Sequence, residues 1–317
     1  YVDEQLEGLK VYTTPELFGA VGDGVTDDTN AIKQALSSDI DTVVFTKSYL
    51  VNDIIDVIDK TLISFTNATI IINKQVTARE WFIETKGSNY IKGIHFLQKI
   101  EGKTLGLLNN ENTHIDSCTF DCDDGLLVKG LLDLYTNNKN VYIENCVFNH
   151  ASTGVGGIWI REFYADQKTS NIIIDNCFMT SRSGVDEVLA IYGAHGTVEN
   201  VKVSNTTIES TSAASMPHMI SAGLGGITKN VNFTGCTIRN NGASTSIFKN
   251  QPTGGGSSQF ISIDNCIIIN TKENIRAIIG DVFVTNTKIY TSESIAFGFE
   301  NSSHKTPIFY SCNFESE

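Results

Sequence analysis

HIDSCTF (His114–Phe120) returns as YIENCVF (Tyr142–Phe148) and again as IIDNCFM (Ile173–Met179), with its cysteine displaced by 28 and then 31 residues. The series continues through KVSNTTI (Lys202–Ile208), NFTGCTI (Asn232–Ile238), SIDNCII (Ser262–Ile268), FVTNTKI (Phe283–Ile289) and IFYSCNF (Ile308–Phe314). Weaker copies, SFTNATI ending at Ile70 and YIKGIHF ending at Phe96, precede it. Each copy alternates apolar and polar residues, the period of a strand, and never shows the 3.6-residue period of a helix. A unit of 20 to 31 residues built on short strands predicts a solenoid, in which each coil stacks on the last.

Leucine-rich repeats share this length but need periodic Leu, and propeller blades are longer. The expected architecture is therefore an all-β, single-stranded, right-handed parallel β-helix. The small slot of each copy holds Cys118, Cys146, Cys177, Thr206, Cys236, Cys266, Thr287 and Cys312. Stacking makes these one inward column with a step of about 4.8 Å. Free Cys is among the most buried residue types, and Thr in the same slot argues for packing over disulfide pairing. Cys122 lies off the column and is expected to carry the exposed thiol.

FGAVGDGVTDDTNAIKQAL (Phe18–Leu36) combines Gly22 and Gly24, an Asp-Asp pair and an amphipathic run. Positive φ is expected at the glycines, and Asp27 or Asp28 is placed to accept amides at the start of a helix from Asp28 to Leu36. Ala31, Ile32, Ala35 and Leu36 give that helix an apolar stripe, suited to closing the open end of a solenoid. The acids Asp23, Asp27 and Asp28 therefore read as structural.

The stretch resembles the N-terminal signature of pectate-lyase-like right-handed β-helix proteins of the phage tailspike and neck-appendage type. TVVFTKSYLV (Thr42–Val51) resembles the first strand of that family, with Thr46, Lys47 and Ser48 where Pro and Gly are usual. The resemblance implies a pectin-lyase-like fold with a short N-terminal capping helix. It also implies a homotrimer on a virion tail or in the extracellular space, and it includes lyases, hydrolases and adhesins. Residues 1–12 are then a connector or stem remnant, with Val2, Leu6 and Leu9 at coiled-coil-like spacing, and 13–317 are one β-helix domain with its capping helix at about 28–36.

A net charge of −13 leaves no basic footprint for nucleic acid and makes neutral glycans easier partners than polyuronates. The apolar runs are too short to span a bilayer, and the first residues have neither the basic nor the apolar region of a signal peptide. The lack of an initiator Met predicts that residues preceded Tyr1.

On a β-helix, residues far apart in sequence share an outer column. Aligning DDGLLVKG (Asp123–Gly130), GGIWIREF (Gly156–Phe163) and EVLAIYGA (Glu187–Ala194) places Leu126, Ile158 and Leu189 inward, with Val128, Ile160 and Ile191. Outward it places Lys129, Arg161 and Tyr192 together, beside Leu127, Trp159 and Ala190. Asp123 and Asp124 then reach the level of Asp186 and Glu187. Glu162, Asp166, His195 and a loop residue His218 complete a candidate groove. The Gly184–Gly196 and Asp121–Gly130 segments resemble the Asp-Asp coil of polygalacturonase-like glycosidases, without its Arg-X-Lys partner.

Carboxylates one or two coils apart suit glycoside hydrolysis, which needs about 5 Å or about 6.5–9.5 Å between them. The expected catalytic residues are Asp186 or Glu187 with Asp123 or Asp124, and Glu162 as an alternative acid. Trp159, Arg161, Tyr192, Lys129, Asp166, His195 and His218 are the expected substrate contacts. The expected function is a tail-associated depolymerase of a bacterial surface polysaccharide or teichoic acid, without metal or cofactor. The alternatives are a uronate lyase, with an Arg, Tyr or Lys base and calcium held by the acids, and a non-catalytic receptor-binding appendage. No spacing for zinc, no phosphate loop and no nucleophile elbow is present.

Overall fold

A computed structural model describes residues 11–74, 81–124, 126, 130–150, 156–181, 187–211, 216–241, 246–250, 252–270, 276–279, 281–291 and 307–316. Tyr1–Lys10, the candidate stem, therefore lies outside the described residues.

Each coil visits three parallel sheets in turn. One coil runs Leu132–Thr136, Lys139–Glu144 and Val147–His150, and the next runs Ile158–Glu162, Lys168–Asp175 and Phe178–Ser181. In the first of these coils each strand pairs with its counterpart 26 to 31 residues on, as Leu132 with Ile158, Val141 with Ile172 and Phe148 with Met179. Among the described residues, the third sheet of the coil holds 12 strands. One long strand, Leu105–Asp116, serves both the first and the second sheet of its coil.

The inward residues form one core. Phe96, Phe120 and Phe148 stack at 5.0 and 4.8 Å between ring centroids, and Met179, Ile208, Ile238 and Ile268 continue their column. The corner before the small slot is a single left-handed residue, among them Asn145, Asn176 and Asn205 at φ 56°, 50° and 50°. Asparagine adopts that conformation at less cost than other side-chain-bearing residues. Its amide also bonds the coil below: Asn145 Nδ2 donates to Asp116 Oδ1 (2.8 Å) and Asn176 Nδ2 to Asn145 Oδ1 (2.8 Å).

The slot itself explains why Cys and Thr interchange. Cys146 Sγ donates to the Glu144 carbonyl and accepts from the Cys118 amide, at 3.1 and 3.4 Å. Thr206 Oγ1 does the same with Ser204 O and the Cys177 amide, at 2.8 and 3.2 Å. What the fold selects there is a small side chain able to donate and accept. All seven cysteines are free. Cys122 is buried, contrary to expectation, because it has the parity of inward Phe120 in the strand Thr119–Cys122. Cys312, in the last coil, is the partly exposed thiol.

The helix forms at Thr29–Ser37 and buries Ala31, Ile32, Ala35 and Leu36 in the core, as expected from the stripe. Gly22 and Gly24 take φ 68° and 75°. Asp27 Oδ1 accepts the Thr29 amide (3.0 Å), while Asp28 instead accepts the amides of Val21 (2.7 Å) and Gly22 (3.1 Å). The acidic cluster therefore pins the glycine-rich entry to the first strand, Asp23–Asp27.

Candidate functional site

The outer face of the first sheet carries an open cavity of about 750 Å³. It is assembled from coils as far apart in sequence as Trp81 and Tyr164. At its base, in the strand Leu132–Thr136, the outward residues are Asp133 and Tyr135, between inward Leu132 and Leu134. Asp133 is fully buried although it points outward, because the neighbouring coils cover it. Trp81 Nε1 donates to its Oδ2 (2.8 Å), and Arg161 donates through Nε to Oδ1 (2.7 Å) and through Nη2 to Oδ2. Lys103 Nζ lies 3.6 Å from the same Oδ2.

Each cation is also held over ring faces. Lys103 sits 4.5 Å from the Trp81 centroid, and the Arg161 guanidinium sits 3.8 Å from Trp159, 4.8 Å from Tyr135 and 5.0 Å from Phe163. Desolvated cation–π contacts of this kind are worth about 2 kcal/mol each. Gly106 is required here: a Cβ on it would fall 2.3 Å from the Trp81 ring. Around this buried cluster, Tyr135, Phe163 and half-exposed Tyr164 offer aromatic surface, and Glu84 supplies a carboxylate on the lining. Burial, then its hydrogen bond with Tyr164, pushes the Tyr135 hydroxyl above its usual range. The cluster places two cations against one buried carboxylate, in a protein of strong negative charge.

The structure keeps part of the expected alignment and shifts the rest. Ile158 faces Leu189, Trp159 faces Ala190, Ile160 faces Ile191 and Arg161 faces Tyr192, as expected. The preceding coil is different: Leu132, Asp133 and Leu134 face Ile158, Trp159 and Ile160, where the sequence reading had placed Leu126, Leu127 and Val128. The correction is six residues, because GLLVKG and the following LLDLYT both alternate like a strand. Lys129 and Asp186 lie outside the described residues.

Glu162 is fully buried, and its carboxylate accepts from Thr136 Oγ1 (2.7 Å), the Asn137 amide (2.7 Å), Thr169 Oγ1 (3.2 Å) and the Tyr164 amide (3.3 Å). So enclosed, it fastens a corner of the coil. Glu187 is buried and shares the parity of inward Leu189. Asp123 pairs with Lys99 at 2.8 Å on the surface, and Asp124 is exposed beside it. One full coil, beginning with the strand Ile158–Glu162, lies between the coil that follows them and the strand that begins at Glu187. Arg161 is held by Asp133, Trp159 and Tyr192 are partly exposed, and Asp166 and His195 are exposed in corners. His218 lies in the strand Met216–Ala222, opposite Leu189, instead of in a loop. Sequence reasoning missed Trp81, Glu84, Lys103, Asp133, Tyr135 and Tyr164. The available signal was an Asp at an outward position inside an otherwise apolar strand, LLDLY.

Solved structures align with this coil over nearly its whole length. The endo-xylogalacturonan hydrolase of Aspergillus tubingensis matches 96% of this chain and 93% of its own, at TM-score 0.59 and 16% identity. A mutant tailspike of Escherichia coli bacteriophage HK620 matches 99% of this chain and 67% of its own, at TM-score 0.62 and 9% identity. The fold is the pectin-lyase-like right-handed parallel β-helix. A pectin-lyase-like β-helix is also the match in PfbA, a surface adhesin of Streptococcus pneumoniae, with 96% and 90% coverage, TM-score 0.55 and 14% identity. Hydrolase, tailspike and adhesin share the fold, so the fold does not choose the activity. No family model matches the chain. In sequence, 27 residues are 70% identical to a capsule K30/K69-specific depolymerase of Klebsiella phage K64-1, covering 8% of this chain and 4% of that protein.

Proposed function

We propose that this β-helix belongs to a phage tail-associated depolymerase that holds a bacterial surface polysaccharide in the Trp81–Tyr164 cleft. The observation that carries the reading is the cleft itself: aromatic surface beside fixed cations and a carboxylate, on a rigid sheet. Ligand sites are concave, largely apolar and provided with a few fixed polar groups, and aromatic rings stack on the apolar faces of sugars. The short identity with a capsule depolymerase supports the same direction, as does the tailspike fold. Asp123, Asp124, Asp186 and Glu187 stay the proposed hydrolytic carboxylates, with Glu162 and Glu84 as alternative acids. A homotrimer on the virion tail is part of the same proposal.

One observation favours a second reading, β-elimination of an acidic glycan. Lys103 and Arg161 are two fixed cations on the cleft lining, beside Asp133 and Glu84, and cations so placed suit neutralising a uronate carboxylate. Incubation with purified bacterial surface polymers, followed by mass analysis, separates the readings. Hydrolysis adds one water per cut, elimination yields an unsaturated uronate, and binding without shortening identifies a receptor-binding appendage. Tyr164→Ala and Glu84→Gln should each slow cleavage with folding intact. Undiminished cleavage in both would remove the cleft from the mechanism.

A further inference from the structure

The second sheet carries an exposed ladder of asparagines at one left-handed position per coil: Asn112, Asn140, Asn171, Asn200 and Asn230, with φ from 54° to 59°. Each amide donates to the asparagine of the coil before, at 2.8 to 3.0 Å. The next coil places Phe260 there, with φ 55°. A phenylalanine has no amide to continue the ladder, and its bulk makes positive φ a genuine outlier. The ring is 72% exposed, so the core gains nothing from it either. A strained backbone position that serves neither hydrogen bonding nor packing points to function.

Phe260 stands at a second cavity, of about 560 Å³, on the outer face of the second sheet. The strands Ser257–Asp264, Phe283–Thr285 and Ile308–Tyr310 form its floor, and register aligns Ser262, Phe283 and Ile308 in one outward column. Phe283 and Ile308 are 50% and 51% exposed. Among these apolar surfaces stand Ser258, Gln259 and Asp281. The Ser258 hydroxyl is buried without a hydrogen-bond partner.

Ring faces beside hydroxyl, amide and carboxylate groups match a ring that is apolar on its face and hydroxylated at its rim. None of the described residues lining the cavity is cationic, and Asp281 and the net charge oppose an anion. We propose that this cavity is a second glycan subsite, separate from the Trp81–Tyr164 cleft, which takes an uncharged sugar residue stacked on Phe260. It rests on the reading that the chain engages glycans, but its test involves no cleavage.

The variant Phe260→Asn restores the ladder residue. It should keep or raise Tm by about 2 °C, and lose binding of neutral tetrasaccharides by about tenfold or more. Isothermal titration with maltotetraose, cellotetraose and mannotetraose, with tetragalacturonate as the acidic comparison, reads this directly. Tyr164→Ala, in the cleft, should leave that binding in place. Binding lost only in Tyr164→Ala would overturn the subsite and leave the cleft standing. Wild-type protein that binds none of the neutral sugars would also overturn it, as would a marked fall in Tm for Phe260→Asn. Self-association abolished by Phe260→Asn, with sugar binding unchanged, would make the patch a contact between copies and overturn it too.

Discussion

The outward faces of the first and second sheets are built on the same coils, yet they differ in kind. On the second sheet the coils repeat one another, Asn112 to Asn230, with each amide answering the last. On the first sheet no two coils agree: Glu84, Gly106, Asp133, Trp159 and Ala190 occupy one column. Repetition serves stacking, because every coil faces the same structural demand. The column without repetition holds the buried ion cluster and the cleft. In this solenoid the departure from the repeat coincides with the cleft.

That contrast can be broken from either side. The largest effect is expected from Asp133→Ala, which strands Arg161 and Lys103 as buried charges without their carboxylate. Removing one partner of such a cluster costs about 3–5 kcal/mol, read as a lower urea midpoint, and glycan binding in the cleft should go with it. Asn171→Ala on the regular face should cost less, about 1–2 kcal/mol, for two ladder bonds and a left-handed position. Its activity should match wild type. Equal losses in the two variants would erase the distinction between scaffold face and working face.

A third test concerns the thiols. A hydrogen bond to Cys146, and burial, push the Cys177 thiol well above its usual range, so it stays protonated in the column. Native protein treated with iodoacetamide should react first at Cys312, and Cys122 and the column should be protected until unfolding. Rapid labelling of Cys122 would contradict its inward place.

The smallest effect is expected at His95. Burial lowers its pKa below the ordinary 6.5, and its Nε2 is buried without a hydrogen-bond partner. The unfolded chain therefore binds a proton that the folded chain refuses. Stability present above pH 6.5 is lost as pH falls from there toward the folded pKa. His95→Gln should flatten the slope of stability against pH in that window, measured by urea unfolding at steps from pH 7.5 to 5.5.

The fold was legible because a parallel β-helix writes each coil in the same grammar: alternation, a left-handed Asn, a small donor–acceptor residue. The site was legible only in part. Trp159, Arg161 and Tyr192 emerged from aligning coils of equal length, and the structure keeps that register. Asp133 and Tyr135 did not, since two adjacent alternating segments competed for one strand and periodicity alone does not choose between them. Trp81 and Lys103 lie outside the strands, so no column predicts them. Glu162 shows the converse limit: its acidity is visible in sequence, while the four donors that enclose it come from three-dimensional packing.

The cleft draws on coils that begin at Trp81 and end at Tyr164. Neighbour-to-neighbour stacking means that a solenoid is assembled like a one-dimensional crystal, layer upon layer. The proposed recognition by this cleft would then have a length threshold. A growing stack of fewer layers holds only fragments of it, and truncation from either side should abolish binding in one step when the boundary layer is lost.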